Sequence, residues 1–219
     1  VSEFPQTPRN RVARLRERAR YDRDTIWPIV DEATICHVGF VENGQPFVIP
    51  TLHARDGDAI VLHGAVASRL MQHVGAGHPV SLAMTLVDGL VLARSMFHHS
   101  INYRSAVLFG RGHLLADERA RLSALELLIE RLVPGRWAET RPPSARELKA
   151  TAVARVEVES ASAKVRTGPP ADDEADLALP FWSGVLPLAE VAGAPEPDPT
   201  LAPGIALPAS LRRRPPRRR

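Results

Sequence analysis

TICHVGFVENGQPFVIPTLHA, residues 34–54, decides how the chain is read. Apolar and polar residues alternate on both sides of Asn43-Gly44, the period of strands with one buried face. Both turn residues tolerate positive φ, which a two-residue hairpin turn requires. Next to it, ARDGDAIVLHG (54–64) repeats the pattern around Asp56-Gly57, and PVSLAMTLVDGLVLARSMF (79–97) repeats it around Asp88-Gly89. Three hairpin signals within about sixty residues predict an antiparallel meander, and a meander of this size closes into a barrel to remove its edges.

Helical patterns interrupt the strands. DRDTIWPIVDEA (22–33) predicts a short helix capped by Asp24, with Ile26, Ile29 and Val30 turned inward. VASRLMQHV (66–74) follows the strand ending at His63-Gly64 with no long loop. DERARLSALELLIERLVPG (117–135) reads as a surface helix capped by Asp117, with Leu122, Leu125, Leu128, Ile129 and Leu132 on one face and a Pro-Gly stop. SARELKAT (144–151) predicts another short helix, and AVARVEVESASAKVRTG (152–168) returns the chain to the sheet. The expected organisation is a basic arm over 1–20, a β-rich domain with helices over 21–188, and a Pro/Arg-rich disordered tail over 189–219. Eleven of the twenty prolines follow Gly168, which is why no further packed unit is expected there.

The net charge of +3 is unevenly placed. RRRPPRRR at the end carries +6, and six arginines against Glu3 and Glu17 give residues 1–20 a further +4. Taking both from the total leaves −7 for residues 21–211. An acidic body argues against a broad nucleic-acid groove. The longest apolar runs are too short to cross a bilayer and VSEFPQTPRNR lacks a secretory h-region, so a cytoplasmic location without membrane contact is the default expectation. The single cysteine, Cys36, lies in an apolar strand-like run and reads as a small buried hydrophobe.

GxSxG, HExxH and GxxxxGK motifs are absent, and GRGHLL (110–115) fits strand curvature better than a dinucleotide loop. Eight histidines do not produce metal-ligand spacing, and adjacent His98 and His99 point apart in extended backbone, so no metal site is expected. FHHSINYRS (97–105) nevertheless concentrates polar chemistry at a strand start. VLHGAVASRL (61–70) adds a strand-to-helix turn where Gly64 lets the backbone approach closely and Ser68 and Arg69 open the helix, an arrangement suited to an anion. A capped helix with both side chains in water explains it equally well. Arg104 and Ser105 would supply a second cation and hydroxyl if their strand ran beside the one ending at His63.

FVIPTLHARDGDAIVLHGAVASRL, LVDGLVLARSMFHHSINYRSAVLFG, LVPGRW, ELKAT and SAKVRTGPPADDEADLALPFWSGVLPL together resemble the pyridoxamine 5′-phosphate oxidase-related superfamily, in its predicted flavin-nucleotide-binding, nitroimidazole-resistance-like branch, over residues 9 to 188. The resemblance implies an α+β fold, a six-stranded antiparallel split β-barrel with peripheral helices, usually a homodimer holding FMN in clefts between subunits. It implies the flavin ring against Ile49, Pro50, Thr51 and Leu52, and the phosphate at His63, Gly64, Ser68 and Arg69. The substrate-binding arginine and histidine constellation of true pyridoxamine phosphate oxidases is absent, so that activity is not expected. Relatives include oxidases, reductases, haem-degrading proteins and deazaflavin binders, and fold alone does not choose among them.

The expected function is an FMN-binding, flavin-dependent oxidoreductase acting on an unidentified small molecule, with NAD(P)H a candidate electron donor. The alternatives are a noncatalytic flavin-binding protein and a deazaflavin binder. Haem, ligated by His98 or His99, is less favoured, because adjacent polar histidines in a loop read more simply as exposed. Arg104 and Ser105 are expected on the flavin phosphate. Lys164 and Arg166 alternate on one strand and are expected beside the ring, Trp182 over a partner's flavin, and His98 and His99 as substrate-side proton carriers.

Overall fold

A computed structural model describes residues 2–212. Its first hairpin is the one the sequence announces: β2 (Ile35–Glu42) and β3 (Gln45–Leu52) pair antiparallel through all eight positions, with Asn43 at φ 51° and Gly44 at φ 77° in the turn. The later strands are β4 (Ala54–Asp56), β5 (Ala59–Ala65), β6 (Pro79–Leu92), β7 (Ser100–Leu114), β8 (Thr151–Arg166) and β9 (Gly184–Pro187), while β1 (Ala19–Arg20) lies near the N-terminus. They form one antiparallel sheet in the order β3-β2-β6-β7-β8-β5-β4, with β1 on β8 and β9 on β6. Among the described residues the sheet therefore has nine strands where six were expected. The three extra strands, β1, β4 and β9, are only two, three and four residues long, too short to show a period in sequence.

Two turns differ from expectation. The second hairpin turns at Gly57-Asp58, because Asp56 pairs with Ala59. Asp88-Gly89 is no turn: β6 runs through it with a bulge, and Gly89 is needed where β9 pairs alongside, since a Cβ there would meet the Leu186 carbonyl and Val185 at 3.0 Å. Gly110 and Gly112 lie within β7, as strand curvature predicts. A Cβ on Gly110 would sit 1.9 Å from the Glu157 carbonyl, beside the bulge where β7 and β8 shift register.

Alternation gives the sheet two unlike faces. On the inner face Cys36, Val38, Phe40, Leu82, Met84, Ala106, Leu108 and Ala161 form the main core, closed at one end by Ile26, Trp27, Ile29 and Val30 of α1 (Arg23–Glu32). Asp22, rather than Asp24, caps α1 by accepting from the Thr25 amide at 2.7 Å. Burial pushes the Cys36 thiol up to about 12, so it is an inert core group, as read from sequence. On the outer face α3 (Glu118–Leu132) covers β4, β5 and β8 through a small core of Ala54, Val61, Ala124, Leu128 and Val153. The short helices α2 (Arg69–Gly75), α4 (Ala145–Ala150, with a Ser144–Glu147 capping box) and α5 (Ala209–Arg212) complete the structure. Expectations for residues 213–219 lie outside the described residues.

Candidate functional site

Cross-strand partners share a face, so the registers trace which side chains meet on the outside of the barrel. Leu52 is opposite Ile35, and Pro50 opposite His37. His37 is opposite Ala83, Thr85 opposite Ser105, Ser105 opposite Lys164, and Lys164 opposite Ala19. This belt of small, polar and half-exposed side chains carries Pro50, Leu52, Ser105 and Lys164 from the predicted set. Ile49 and Thr51 alternate to the inner face, so only their backbone is offered outward.

At one end the belt meets a cleft. Leu52 and His63 form one wall, Leu125, Leu128, Ile129 and Leu132 of α3 another, and the rim includes Trp137, Arg136 and Arg141; the cleft measures about 540 Å³. The His63 Nδ1 is buried without a hydrogen-bond partner, and burial lowers the ring's pKa below its usual 6.5. His63 is thus neutral at physiological pH and keeps a lone pair on one ring nitrogen.

The turn after His63 is already satisfied from within. The Ser68 Oγ caps α2 by accepting from the Met71 amide at 3.3 Å, and a Cβ on Gly64 would lie 3.4 Å from that hydroxyl. Arg69 pairs with Glu42 at 3.2 Å and lies over the Phe47 ring. Nor does β7 run beside β5: β8 stands between them, with His63 opposite Val153 and Ser105 opposite Lys164. Eleven residues of β8 separate those positions, on the order of 35 Å along the strand. Within one protomer the 63–69 turn and Ser105 therefore cannot grip the same phosphate, which corrects the joint assignment.

Arg104 and Ser105 also part company, because consecutive strand residues face opposite ways. Arg104 points to the inner face at the barrel mouth and donates to Asp88 (2.9 and 2.7 Å) and Glu32 (2.9 Å), which raises its pKa further above the usual arginine value. Lys164 and Arg166 do share the outer face. Arg166 is buried, however, and donates to Asn102 and to the Gly168 and Pro169 carbonyls, so it holds a loop; burial, with Arg18 nearby, lowers its pKa.

FHHSINYRS supplies a knot at the opposite end from the cleft. The His98 Nε2 lies 3.3 Å from Asp173, and His99 donates from Nδ1 to the Ser95 carbonyl at 2.9 Å. Asp172, with a side chain 2 % exposed, accepts from the Arg94 amide (2.8 Å) and guanidinium (3.0 Å), from the Ser95 amide (3.4 Å) and from the Ser183 hydroxyl (3.0 Å). This carboxylate fastens two loops that present Met96, Phe97, Phe181 and Trp182 to solvent. Asp172 was missed in sequence because nothing local marks an acid whose four donors come from residues 94, 95 and 183. No group of three or more His, Cys, Asp or Glu side chains is placed to hold a metal ion, and no helix is long and apolar enough to cross a membrane, both among the described residues.

These features can be set beside known proteins. No curated protein matches the chain. Flavocytochrome Anf3 from Azotobacter vinelandii is similar at 41% identity and a TM-score of 0.90, covering 97% of this chain and 99% of its own. An FAD and heme binding protein from Mycobacterium smegmatis is similar at 36% identity and a TM-score of 0.85, covering 89% and 96%. A candidate 5-nitroimidazole antibiotic resistance protein from Bacteroides thetaiotaomicron, at 21% identity and a TM-score of 0.58 over 67% and 86%, shares the fold. The profile described as pyridoxamine 5′-phosphate oxidase matches residues 22–165, a span that runs from the helix closing the barrel mouth to the end of β8 and takes in the belt and the His63 wall of the cleft. On that match, and on the two relatives that follow the chain almost end to end, this chain belongs to the pyridoxamine 5′-phosphate oxidase family.

Proposed function

We propose that this protein is a homodimeric flavoprotein that passes electrons between a flavin on the outer belt and a haem in the His63 cleft, and onward to a small molecule. The observation that carries the reading is His63. It is a neutral imidazole on the wall of a largely apolar cleft that joins the belt through Leu52. A cleft walled by leucines with an imidazole on one side suits a large flat macrocycle better than a phosphate. The two relatives above are named as a flavocytochrome and as an FAD and heme binding protein, which supports the pairing.

The chain's own residues divide the work. Pro50 and Leu52 present a flat apolar edge for a flavin ring, with Ile49 and Thr51 offering backbone groups, while Ser105 and Lys164 supply a hydroxyl and a cation farther along the belt. A cation there favours an anionic flavin or its phosphate. His63 would ligate iron, and Leu125, Leu128 and Ile129 would exclude water from the macrocycle. Bound flavin and haem would supply the one- and two-electron chemistry that no side chain provides. A second protomer would cover the belt, where Ile35 and Val87 are exposed and no helix packs, and would meet the exposed Trp182 and Phe181. His98 and His99, each with a partner of its own, are assigned no iron.

Reconstitution tests the reading. Protein titrated with haem should develop the sharp Soret band of a ligated iron, His63→Ala should lose it, and His98→Ala should keep it. A Soret band unchanged in His63→Ala would remove His63 as ligand. Failure of both FMN and FAD to bind would remove the flavin.

A further inference from the structure

The cations of this chain are segregated, and one group of them gathers at the mouth of the His63 cleft. The segment 136–149, which supplies part of the rim and α4, carries Arg136, Arg141, Arg146 and Lys149 against Glu139 and Glu147. Both acids are committed within the fold. Glu147 closes the Ser144 capping box and accepts from Arg141 at 2.6 and 2.8 Å. Glu139 lies 3.7 Å from Arg136 and accepts from the Ser210 amide at 3.1 Å and from the Ser210 hydroxyl. Arg146 and Lys149 are exposed and make no ion pair among the described residues.

The contact between Glu139 and Ser210 brings further cations to the same place. It pins α5 beside Gly135, where a Cβ would lie 3.8 Å from the Ser210 Cβ, so Arg212 stands next to the rim. Arg212 spends its Nε on the Leu207 carbonyl, and the sequence continues from it as RRPPRRR, five further arginines and no acid. By contrast, residues 150–211 hold nine acids against three cations, and residues 21–135 hold twelve against nine. Outside the N-terminal arm, positive charge is therefore concentrated at this mouth.

Behind the cations lies apolar surface. Trp137 is half-buried at the rim, with Leu125, Leu128, Ile129 and Leu132 inside the cleft. α4 leads directly into β8, whose Thr151 pairs with Ala65 and Val153 with His63, so α4 and its cations stand close to the imidazole wall. An apolar centre with an aromatic anchor inside a charged margin is the anatomy of a protein-docking surface. Opposite charge on a partner raises the encounter rate and sets orientation more than it adds affinity. Such contacts are short-lived, and redox encounters sit at the small end of interface areas.

We infer that the mouth of the His63 cleft docks a small acidic protein of the electron-carrier class, drawn in by RRRPPRRR and oriented by Arg136, Arg146 and Lys149. The docking surface stands on charge and shape; naming an electron carrier rests on the function proposed above. Transfer of one electron from such a carrier oxidises it by one, reduces the protein's bound cofactor by one and makes or breaks no bond. The mouth has only to hold the two proteins edge to edge. A nucleic acid is disfavoured, since residues 21–211 carry −7 and the basic surface is a patch rather than a continuous track.

Fluorescence anisotropy of a labelled acidic [2Fe–2S] ferredoxin, titrated with the full chain before and after cofactor loading, tests the docking. Wild-type protein should bind the ferredoxin at about 20 mM NaCl and about tenfold or more weakly at about 200 mM. Truncation after Arg212 should weaken binding about tenfold or more, and Arg146→Glu combined with Lys149→Glu about threefold to tenfold. Arg11→Glu combined with Arg14→Glu makes the same charge change at exposed arginines of the N-terminal arm and should have no effect. Absence of binding at low salt, an equal loss in the arm variant, or displacement by duplex DNA at a lower concentration than by unlabelled ferredoxin would overturn the inference. So would tighter binding after truncation, which would mark the tail as a competitor for the surface. Ferredoxin binding by protein that takes up neither haem nor flavin would uphold the docking surface and remove the cofactor reading. A normal Soret band with no ferredoxin bound would do the reverse.

Discussion

His53 and His63 lie ten positions apart at the two sides of one hairpin, yet they inhabit opposite regions of the molecule. His53 belongs to the inner region: it is 1 % exposed, and its Nε2–H donates to the Val30 carbonyl at 2.9 Å, beside an Arg131 guanidinium that also bonds the last carbonyls of α1. His63 belongs to the outer region, on the wall of an apolar cleft. The contrast extends to Arg104, gripped inward by two carboxylates, and Lys164, set outward on the belt. Inner polar groups make their main contacts within the fold, although the His53 Nδ1, like that of His63, is buried without a hydrogen-bond partner. What sets His63 apart is its place on the wall of an open cleft.

The comparison can be broken by substitutions that act on the wrong side. The largest effect is expected at Gly110, on the inner face, where even a methyl would overlap the Glu157 carbonyl. Gly110→Ala should cost about 4 kcal/mol or more, enough to leave the protein largely unfolded, whereas Gly193→Ala, with open space around it, should stay within about 0.5 kcal/mol. Urea denaturation of both variants checks this, and a Gly110→Ala protein as stable as the parent would show that the β7–β8 bulge can relax.

Acid should separate the two histidines next. Burial, with the Arg131 charge adding to it against the pull of the Val30 carbonyl, holds the His53 pKa down at about 4 from the usual 6.5. Between those values the unfolded chain binds a proton that the folded chain does not, so stability rises with pH across that window and falls as pH drops from 6.5 to 4. The loss attributable to His53 is about 3 kcal/mol. Denaturant midpoints at pH 7 and pH 4.5 should differ less in His53→Gln than in the parent. An unchanged difference would remove His53 as the acid-sensitive group.

Arg104→Ala should follow, at about 2 kcal/mol. It leaves Glu32 and Asp88 facing each other, but the guanidinium is 24 % exposed and water screens part of the loss. Flavin affinity should not move, because the side chain is on the inner face. Unchanged stability combined with weakened flavin binding would place Arg104 at the ligand after all. The smallest effect belongs to Lys164→Gln, on the outer face: a threefold to tenfold loss of flavin affinity, about 1 kcal/mol, with stability unaffected. A stability loss larger than the affinity loss would turn the comparison around.

The strands and helices were legible because their signals are local. Asn43-Gly44, the alternation in β2 and β3, and the Asp117 cap each act within a few residues, and each is found where the chain announces it. Asp88-Gly89 carries the same turn signal and makes no turn, because a fourteen-residue strand paired with both β7 and β9 outweighs two turn-tolerant residues. Residue type and alternation alone also placed Lys164 and Arg166 on a common face. The environments of those residues were decided elsewhere. Arg104 meets Glu32 across 72 residues, Asn102 takes up Arg166 across 64, and His63 acquires its cleft from leucines of α3 that follow it by more than sixty positions. A strand fixes the face of each side chain through its own two-residue period. What waits on that face is fixed by which distant element packs there, and that depends on the area the whole chain can bury, which no local stretch encodes.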